Sequence, residues 1–359
     1  MILARRSLLL GGSALSLAAL SACRATEENS GSATGNTSAQ PTAGDEFPVT
    51  IAHKFGETTI TKRPERIVLV GLVEQDMLLA LGIVPVAVTE WLMGAKDEIY
   101  PWARPLLNGK PAPVVLSTAD GIQIGKIAGL KPDLILGNYA GVTSAEYAKL
   151  SKIAPTVAQP KEFLDYGVSW DANALIVAKA VGQSAKGKKI VADTRKQIKD
   201  AAAAHPEFKG KSCAVTSAYE GIYIYGPQDP RTRLMSDLGF VFPDKFKDIG
   251  GGKEFGGSIS AERTREVDFQ AAVWVSSEAE VNKATGGLWK QTEASKKGRA
   301  VYIPYATKQG ELTTTYSVAF SFLTPLSIPY LLKSLVPQLA AAVDSDPATK
   351  VPGPKPYSA

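Results

Sequence analysis

Short runs of aliphatic residues, apolar on both faces, alternate with helical stretches and restrict this chain to one fold class. Arg66-Ile67-Val68-Leu69-Val70 ends at Gly71, and Asp76 to Leu81 has helical character up to Gly82. Pro85-Val86-Ala87-Val88 reads as a second strand, left through Thr89-Glu90-Trp91. A helix over Ile122–Leu130 leads to the strand Asp133-Leu134-Ile135-Leu136, which runs into Gly137-Asn138-Tyr139. Ser144–Ile153 is helical again, and Thr156-Val157-Ala158 is a last strand. A strand without a polar face must be covered on both sides. In a strand–helix alternation, that means a parallel sheet between helical layers.

The middle of the chain differs. Asp171–Val181 reads as a helix with Asp171 as a candidate cap. After Gly182, residues 185–204 carry Ile190, Thr194, Ile198 and Ala202 at steps of four among charged residues, one helix with a narrow apolar stripe. Its ~20 residues span ~30 Å, about a domain's width, and predict a rigid strut between two lobes. Beyond it the pattern recurs. Strands are expected at 212–216, 222–225, 271–276 and 301–304, helices at 232–238, 288–295 and from about Leu326. The fold class is therefore α/β: two parallel-sheet lobes, 47–167 and 206–346, joined by a helical connector, 168–205. The tail 347–359, rich in Pro and Lys, reads as disordered.

Ahead of the fold, Arg5-Arg6 precede an apolar run, Leu8–Ala22. Its ~15 residues fall short of the ~20 that span a bilayer. A basic start, a short apolar core and small residues before a cut site describe an export signal over 1–22. Leu20-Ser21-Ala22-Cys23 resembles a bacterial lipobox, in which Cys23 becomes the acylated first residue. Arg5-Arg6 leave both the general and the twin-arginine routes open. Residues 23–46, rich in Ser, Thr, Gly, Ala and Asn, cannot bury enough surface to offset their ordering entropy, and read as a tether.

Composition narrows the chemistry. The formal charge of +5 is spread along the chain, compatible with an anionic ligand or a membrane surface. No basic block with interleaved aromatics points to nucleic acid. With Cys23 acylated, Cys213 has no intramolecular partner and reads as a small buried side chain. His53 and His205 are the only two histidines, and no cluster of metal-ligating residues accompanies them. No Gly-x-Ser-x-Gly elbow supports a serine hydrolase.

Several stretches carry a resemblance: Phe55-Gly56-Glu57-Thr58-Thr59-Ile60, Pro64-Glu65-Arg66-Ile67-Val68, Leu79-Ala80-Leu81-Gly82-Ile83-Val84-Pro85-Val86, Leu130-Lys131-Pro132-Asp133-Leu134-Ile135-Leu136, Leu234-Met235-Ser236-Asp237-Leu238-Gly239-Phe240 and Ser260-Ala261-Glu262. In this order, behind a lipobox, they resemble the substrate-binding lipoproteins of ABC importers that carry ferric siderophores, haem and cobalamin. The resemblance implies two α/β lobes on one long helix, with the ligand in the cleft between them. It implies a monomeric binding protein rather than an enzyme, anchored by lipid at the outer face of the cytoplasmic membrane, with no cofactor of its own. One acidic residue per lobe would pair with Arg on the permease. The matching positions are Asp76, with Glu74 competing, and Glu262. Two such charge-assisted contacts would fix the docking register.

In open α/β sheets, ligands bind beyond the carboxyl ends of the strands. The candidates in the first lobe are Trp91, Asn138 and Tyr139, with Trp102 nearby. In the second they are Tyr219, Tyr225, Arg231, Arg233 and Tyr305. Aromatics supply broad apolar contact, and Arg a planar fork for ligand oxygens. Tyr225-Gly226-Pro227-Gln228-Asp229-Pro230-Arg231 resembles a segment of siderophore-binding members, which favours Arg231. A ferric siderophore already satisfies its iron. Haem or a corrinoid remains the alternative, with Tyr139 or Tyr225 as an iron ligand. Thr118-Ala119-Asp120-Gly121 lacks the Arg that hydroxamate-binding members often carry there.

Overall fold

The computed structural model describes residues 45–91, 97–219, 221–252, 254–305 and 312–357. The export signal 1–22, Cys23 and nearly all of the tether lie outside the described residues.

The first lobe opens with a hairpin that the apolar pattern alone does not separate, β1 (Val49–His53) against β2 (Gly56–Ile60). Val49, Ile51 and His53 point inward while Thr50 and Ala52 face water, the period-two signature of a half-covered strand. His53 is buried against Thr58, 2.9 Å from its hydroxyl, and burial lowers its pKa. It takes no part in the cleft. The chain then forms β3 (Ile67–Leu69), α1 (Glu74–Ala80), β4 (Ala87–Thr89), β5 (Val114–Leu116), α2 (Ile124–Gly129), β6 (Leu134–Leu136), α3 (Ser144–Leu150) and β7 (Thr156–Val157). The five strands pair in parallel in the order β5-β4-β3-β6-β7. All of β3 and β6 is buried, as their two-sided apolar runs require.

The connector is a helix pair, α4 (Trp170–Ala180) and α5 (Ser184–Ala204). A Cβ on Gly187 would stand 2.3 Å from that of Ala178, so glycine is what lets the two helices approach this closely. The buried stripe of α5 is Gly187, Val191, Thr194 and Ile198. It is rotated from the expected one, with Val191 inward in place of Ile190. The 21 residues of α5 extend ~31 Å and pack on both α4 and the C-terminal helix.

The second lobe contains β8 (Cys213–Ser217), β9 (Ile222–Tyr225), α6 (Pro230–Asp237), β10 (Gly256–Ile259), β11 (Ala271–Trp274), α7 (Glu278–Ala284), α8 (Glu293–Lys296), β12 (Ala300–Tyr302), α9 (Leu312–Ser321) and α10 (Ser327–Asp344). Its sheet runs β10-β9-β8-β11-β12. β8, β11 and β12 are parallel, but β9 and β10 are antiparallel to their neighbours, which corrects the expectation of an all-parallel sheet. Only residues 218–221 separate β8 from β9, too few for the crossover a parallel pair needs. Cys213 is free and buried in β8.

One buried apolar cluster runs through both lobes, from Leu69 and Met77 past Val177, Val191 and Ile198 to Leu234, Val273 and Leu331. The tail is also placed, contrary to the expected disorder. The amide of Lys355 donates to Ser334 Oγ at 2.8 Å, and Gln338 Nε2 and Tyr330 Oη donate to the carbonyls of Pro352 and Lys355. Polar side chains of α10 thus take up the tail's backbone groups, and Tyr357 packs on Tyr330.

Candidate ligand-binding cleft

The residues that leave the strands meet across the junction of the lobes. From the first lobe come Leu72, Glu90, Trp91, Thr118, Tyr139 and Tyr166, and from the second Tyr225, Asp229, Arg231, Phe255, Tyr305, Ser321 and Phe322. They enclose about 440 Å³. A second hollow of about 390 Å³ shares Tyr225, Phe255 and Tyr305 as a wall and adds Tyr219, Tyr223 and Glu280. Each has the size of a small-molecule site, and the lining is mainly aromatic.

The rings brace one another. Trp91 lies edge-on to Phe322 at 4.1 Å between centroids and 5.8 Å from Tyr305. Tyr139 contacts Phe322 and Tyr166 at 6.1 and 5.9 Å. Tyr225 stacks on Phe255 at 6.4 Å, across the β9–β10 ladder. Burial raises the pKa of Tyr139 and Tyr305. Both therefore keep their O–H, which suits donation to a ligand oxygen and disfavours the phenolate that haem iron takes up. The Tyr305 hydroxyl is hydrogen-bonded to Ser321.

Arg231 is the charged element of the wall. Its Nε and Nη2 donate to the two oxygens of Asp229 at 2.8 and 2.7 Å, and its guanidinium lies 3.6 Å from the Tyr225 ring centroid. Asp229 also accepts the amide of Arg231 as the cap of α6, with Pro230 in the first turn, where neither residue wastes a backbone donor. The two residues are only 7% and 2% exposed. Burial opposes the Arg231 charge, but the carboxylate of Asp229 outweighs it and holds the pKa well above the ordinary range.

Three expected site residues sit elsewhere. Trp102 is buried beneath the cleft, stacked between Tyr100 and Tyr330 at 5.1 and 5.6 Å. Asn138 is fully buried and donates to Asn173 at 3.0 Å, tying β6 to α4. Arg233 donates to the carbonyl of Gly167 at 2.8 Å and lies over Phe163. It lines a different hollow, about 700 Å³, between α4, α5 and α6, where Asp171 and Arg195 pair with each other. That hollow is larger, but it lies off the strand ends and offers few aromatic walls. Tyr219, 65% exposed, stands at the rim of the second hollow.

The proposed docking carboxylate of the first lobe is not at the surface. Asp76 is 3% exposed, and its Oδ2 accepts both Trp102 Nε1 at 2.7 Å and Thr324 Oγ1 at 2.6 Å. It ties the two lobes together from inside and presents no exposed carboxylate at the surface. The competing Glu74 is also buried, accepting the amides of Tyr139 at 2.8 Å and Val73 at 3.1 Å. Glu262 is exposed just after β10. The Ser260 hydroxyl beside it lowers its pKa and keeps it charged.

Tyr166, Tyr223, Phe255 and Phe322 line the hollows although the strand-end rule did not select them. Phe322 follows a helix, Phe255 precedes a strand, Tyr223 lies within one and Tyr166 sits in a loop. A search for aromatics flanking any element near a strand end would have found Phe255. Glu98, also buried, accepts the backbone N–H of Trp91. Burial, with Glu90 and Asp97 nearby, pushes its pKa up to about 7. Among the described residues no group of three or more His, Cys, Asp or Glu could hold a metal ion, and no helix is long and apolar enough to cross a membrane.

Residues 67–307 match the periplasmic binding protein family. Among curated proteins, the "Probable siderophore-binding lipoprotein YfiY" of Bacillus subtilis is 29% identical over 305 residues, covering 78% of this chain and 85% of that protein. A periplasmic solute binding protein of Mycobacterium smegmatis superposes with a TM-score of 0.70 at 31% identity, covering 82% of this chain and 98% of the other. The iron uptake protein PiaA of Streptococcus pneumoniae, solved in complex with ferrichrome, gives a TM-score of 0.70 at 29% identity, covering 83% and 99%.

Proposed function

The chain belongs to the periplasmic binding protein family, and from that premise we propose that it captures a ferric siderophore outside the cytoplasmic membrane and delivers it to an ABC permease. The observation that carries this reading is the cleft: aromatic walls from both lobes, with phenolic O–H groups and the Arg231 guanidinium as donors. A ferric siderophore presents an apolar shell with oxygens wrapped around its iron. Rings would take up the shell, and donors the oxygens. Iron is cargo, already ligated, so the protein supplies no metal ligand and no chemical step. The relative YfiY is named for siderophore binding, and PiaA holds ferrichrome, which supports the same reading.

The cleft recognises, and the surroundings deliver. The shared core of the two lobes favours a binding site that changes shape little, since packed interiors resist deformation. Acylation of Cys23 would keep the protein, as a monomer, at the outer face of the membrane. Glu262 is the remaining candidate for permease docking, charged and free of the core. Glu262→Ala is expected to leave ligand affinity within twofold of wild type and to cut uptake in cells by tenfold or more. Normal uptake of labelled ferric siderophore in that strain would remove Glu262 from docking.

A further inference from the structure

The net charge of the whole chain is positive, but its cleft is not. Among the described residues lining the two hollows, the carboxylates are Glu90, Asp229 and Glu280, and the single cation is Arg231. That cation is already committed. Two of its three nitrogens hold Asp229 in a bidentate pair, and its face is covered by Tyr225. A paired guanidinium can still donate from Nη1, but it brings no uncompensated positive charge. Glu90 and Glu280 are left over, both exposed on the walls. Glu280 is fixed there because it closes the capping box of α7, accepting the Ser277 amide at 2.7 Å and hydroxyl at 2.8 Å. The stretches 92–96 and 306–311 lie outside the described residues. Even if Lys96, Lys308 and Glu311 of the sequence are all counted, the total does not become positive.

We propose that this cleft selects ferric complexes of zero or positive net charge and rejects anionic ones. This rests on the reading of the cleft as a ferric siderophore site. Three hydroxamates, each singly charged, cancel the charge of iron(III) and give a neutral complex. A pendant ammonium makes it cationic, a form the ring faces and the two free carboxylates favour. Three catecholates leave a triply anionic complex, and citrate-type carboxylates an anionic one. Either would meet Glu90 and Glu280 with no free counter-cation among the described lining residues, in a partly desolvated groove where like charges repel more strongly than in water. Hydroxamate oxygens are still served, by Arg231 Nη1 and by the hydroxyls of Tyr139 and Tyr305.

The test is a competition titration of the mature protein with ferrichrome (neutral), ferrioxamine B (cationic), ferric enterobactin (triply anionic) and ferric citrate, at low and physiological salt. Ferrichrome or ferrioxamine B is expected to bind at least ~100-fold tighter than either anionic complex, the order of effect expected for repulsion at short range. The gap should narrow as salt rises. Glu90→Gln with Glu280→Gln, in which glutamine still closes the capping box, is expected to raise the anionic-to-neutral affinity ratio by about tenfold. Tight binding of ferric enterobactin or ferric citrate, equal to or better than the neutral complex, would overturn the charge rule while leaving siderophore capture intact. An unchanged ratio in the double variant would overturn the assignment to these two carboxylates. Failure of all four to bind would instead overturn the functional reading itself, and the charge rule with it.

Discussion

Asp229→Ala is expected to destabilise the protein by about 3–5 kcal/mol, because it strands a guanidinium inside the wall of the cleft. Arg231 is 7% exposed and makes both of its charge-assisted bonds to one carboxylate. Removing that carboxylate leaves a buried cation without a partner and takes the cap from α6 as well. Arg231→Met should cost a comparable amount, about 3–5 kcal/mol, since it leaves the Asp229 carboxylate, 2% exposed, without its counter-charge even though the cap bond to the backbone amide remains. The Asp229→Asn/Arg231→Met double variant should be more stable than Asp229→Ala, because no buried charge is left alone. Arg231→Met should also weaken the ferric ligand by tenfold or more, as loss of one charge-assisted donor implies. Urea denaturation of wild type and these variants, with one ligand titration, checks the set. A loss below about 1 kcal/mol for Asp229→Ala would show that the pair does not carry the buried-charge cost assigned to it.

The second large effect is a gain. In Asp76→Asn the amide oxygen can accept Trp102 Nε1 and Thr324 Oγ1 as Asp76 Oδ2 does, while the buried negative charge disappears. Burial pushes the Asp76 pKa up to about 6, against the pull of those two donors. The folded state thus holds a proton that the unfolded chain releases at about pH 4. Its contribution to stability is fully present below about pH 4 and is lost as pH rises through about 6. Above that, the ionised carboxylate is a net cost, since Asp76 Oδ1 has no hydrogen-bond partner among the described residues. Moving a carboxyl pKa from about 4 to about 6 corresponds to about 3 kcal/mol. Asp76→Asn is therefore expected to be about 2–3 kcal/mol more stable than wild type at pH 7.5 and equal to it near pH 4. Glu74 and Glu98, the other buried carboxylates of this region, titrate in both proteins, so the difference isolates Asp76. A variant less stable than wild type at pH 7.5 would contradict the burial argument.

What the sequence disclosed, and what it hid, divides along chain distance. The strands at Ile67–Leu69 and Leu134–Leu136 and the 21-residue α5 were legible because two-sided apolar runs and a long amphipathic period are local signals. Trp91, Tyr139, Tyr225, Arg231 and Tyr305 come together on one cleft because strand ends in open sheets converge there. The resemblance put Asp76 forward for docking, and nothing local to it in the chain signals that it is buried. The partners that bury it lie 26 and 248 residues along the chain, beyond any local pattern. Trp102 went with it, since an aromatic in a Pro-rich loop gives no sign of being a core plug. The tail was misjudged for a related reason: its composition lacks a core of its own, but Ser334, Tyr330 and Gln338 on α10 satisfy its backbone.

Tryptophan fluorescence of the mature protein and of Trp91→Phe tests ligand capture in this cleft most directly. Trp91 sits in the cleft against Phe322 and Tyr305, so an iron complex bound there must quench it. The account predicts saturable quenching by a ferric trihydroxamate, none by its iron-free form, and most of the signal lost in Trp91→Phe with binding retained by calorimetry. Saturation by haemin with no response to any ferric siderophore would contradict it.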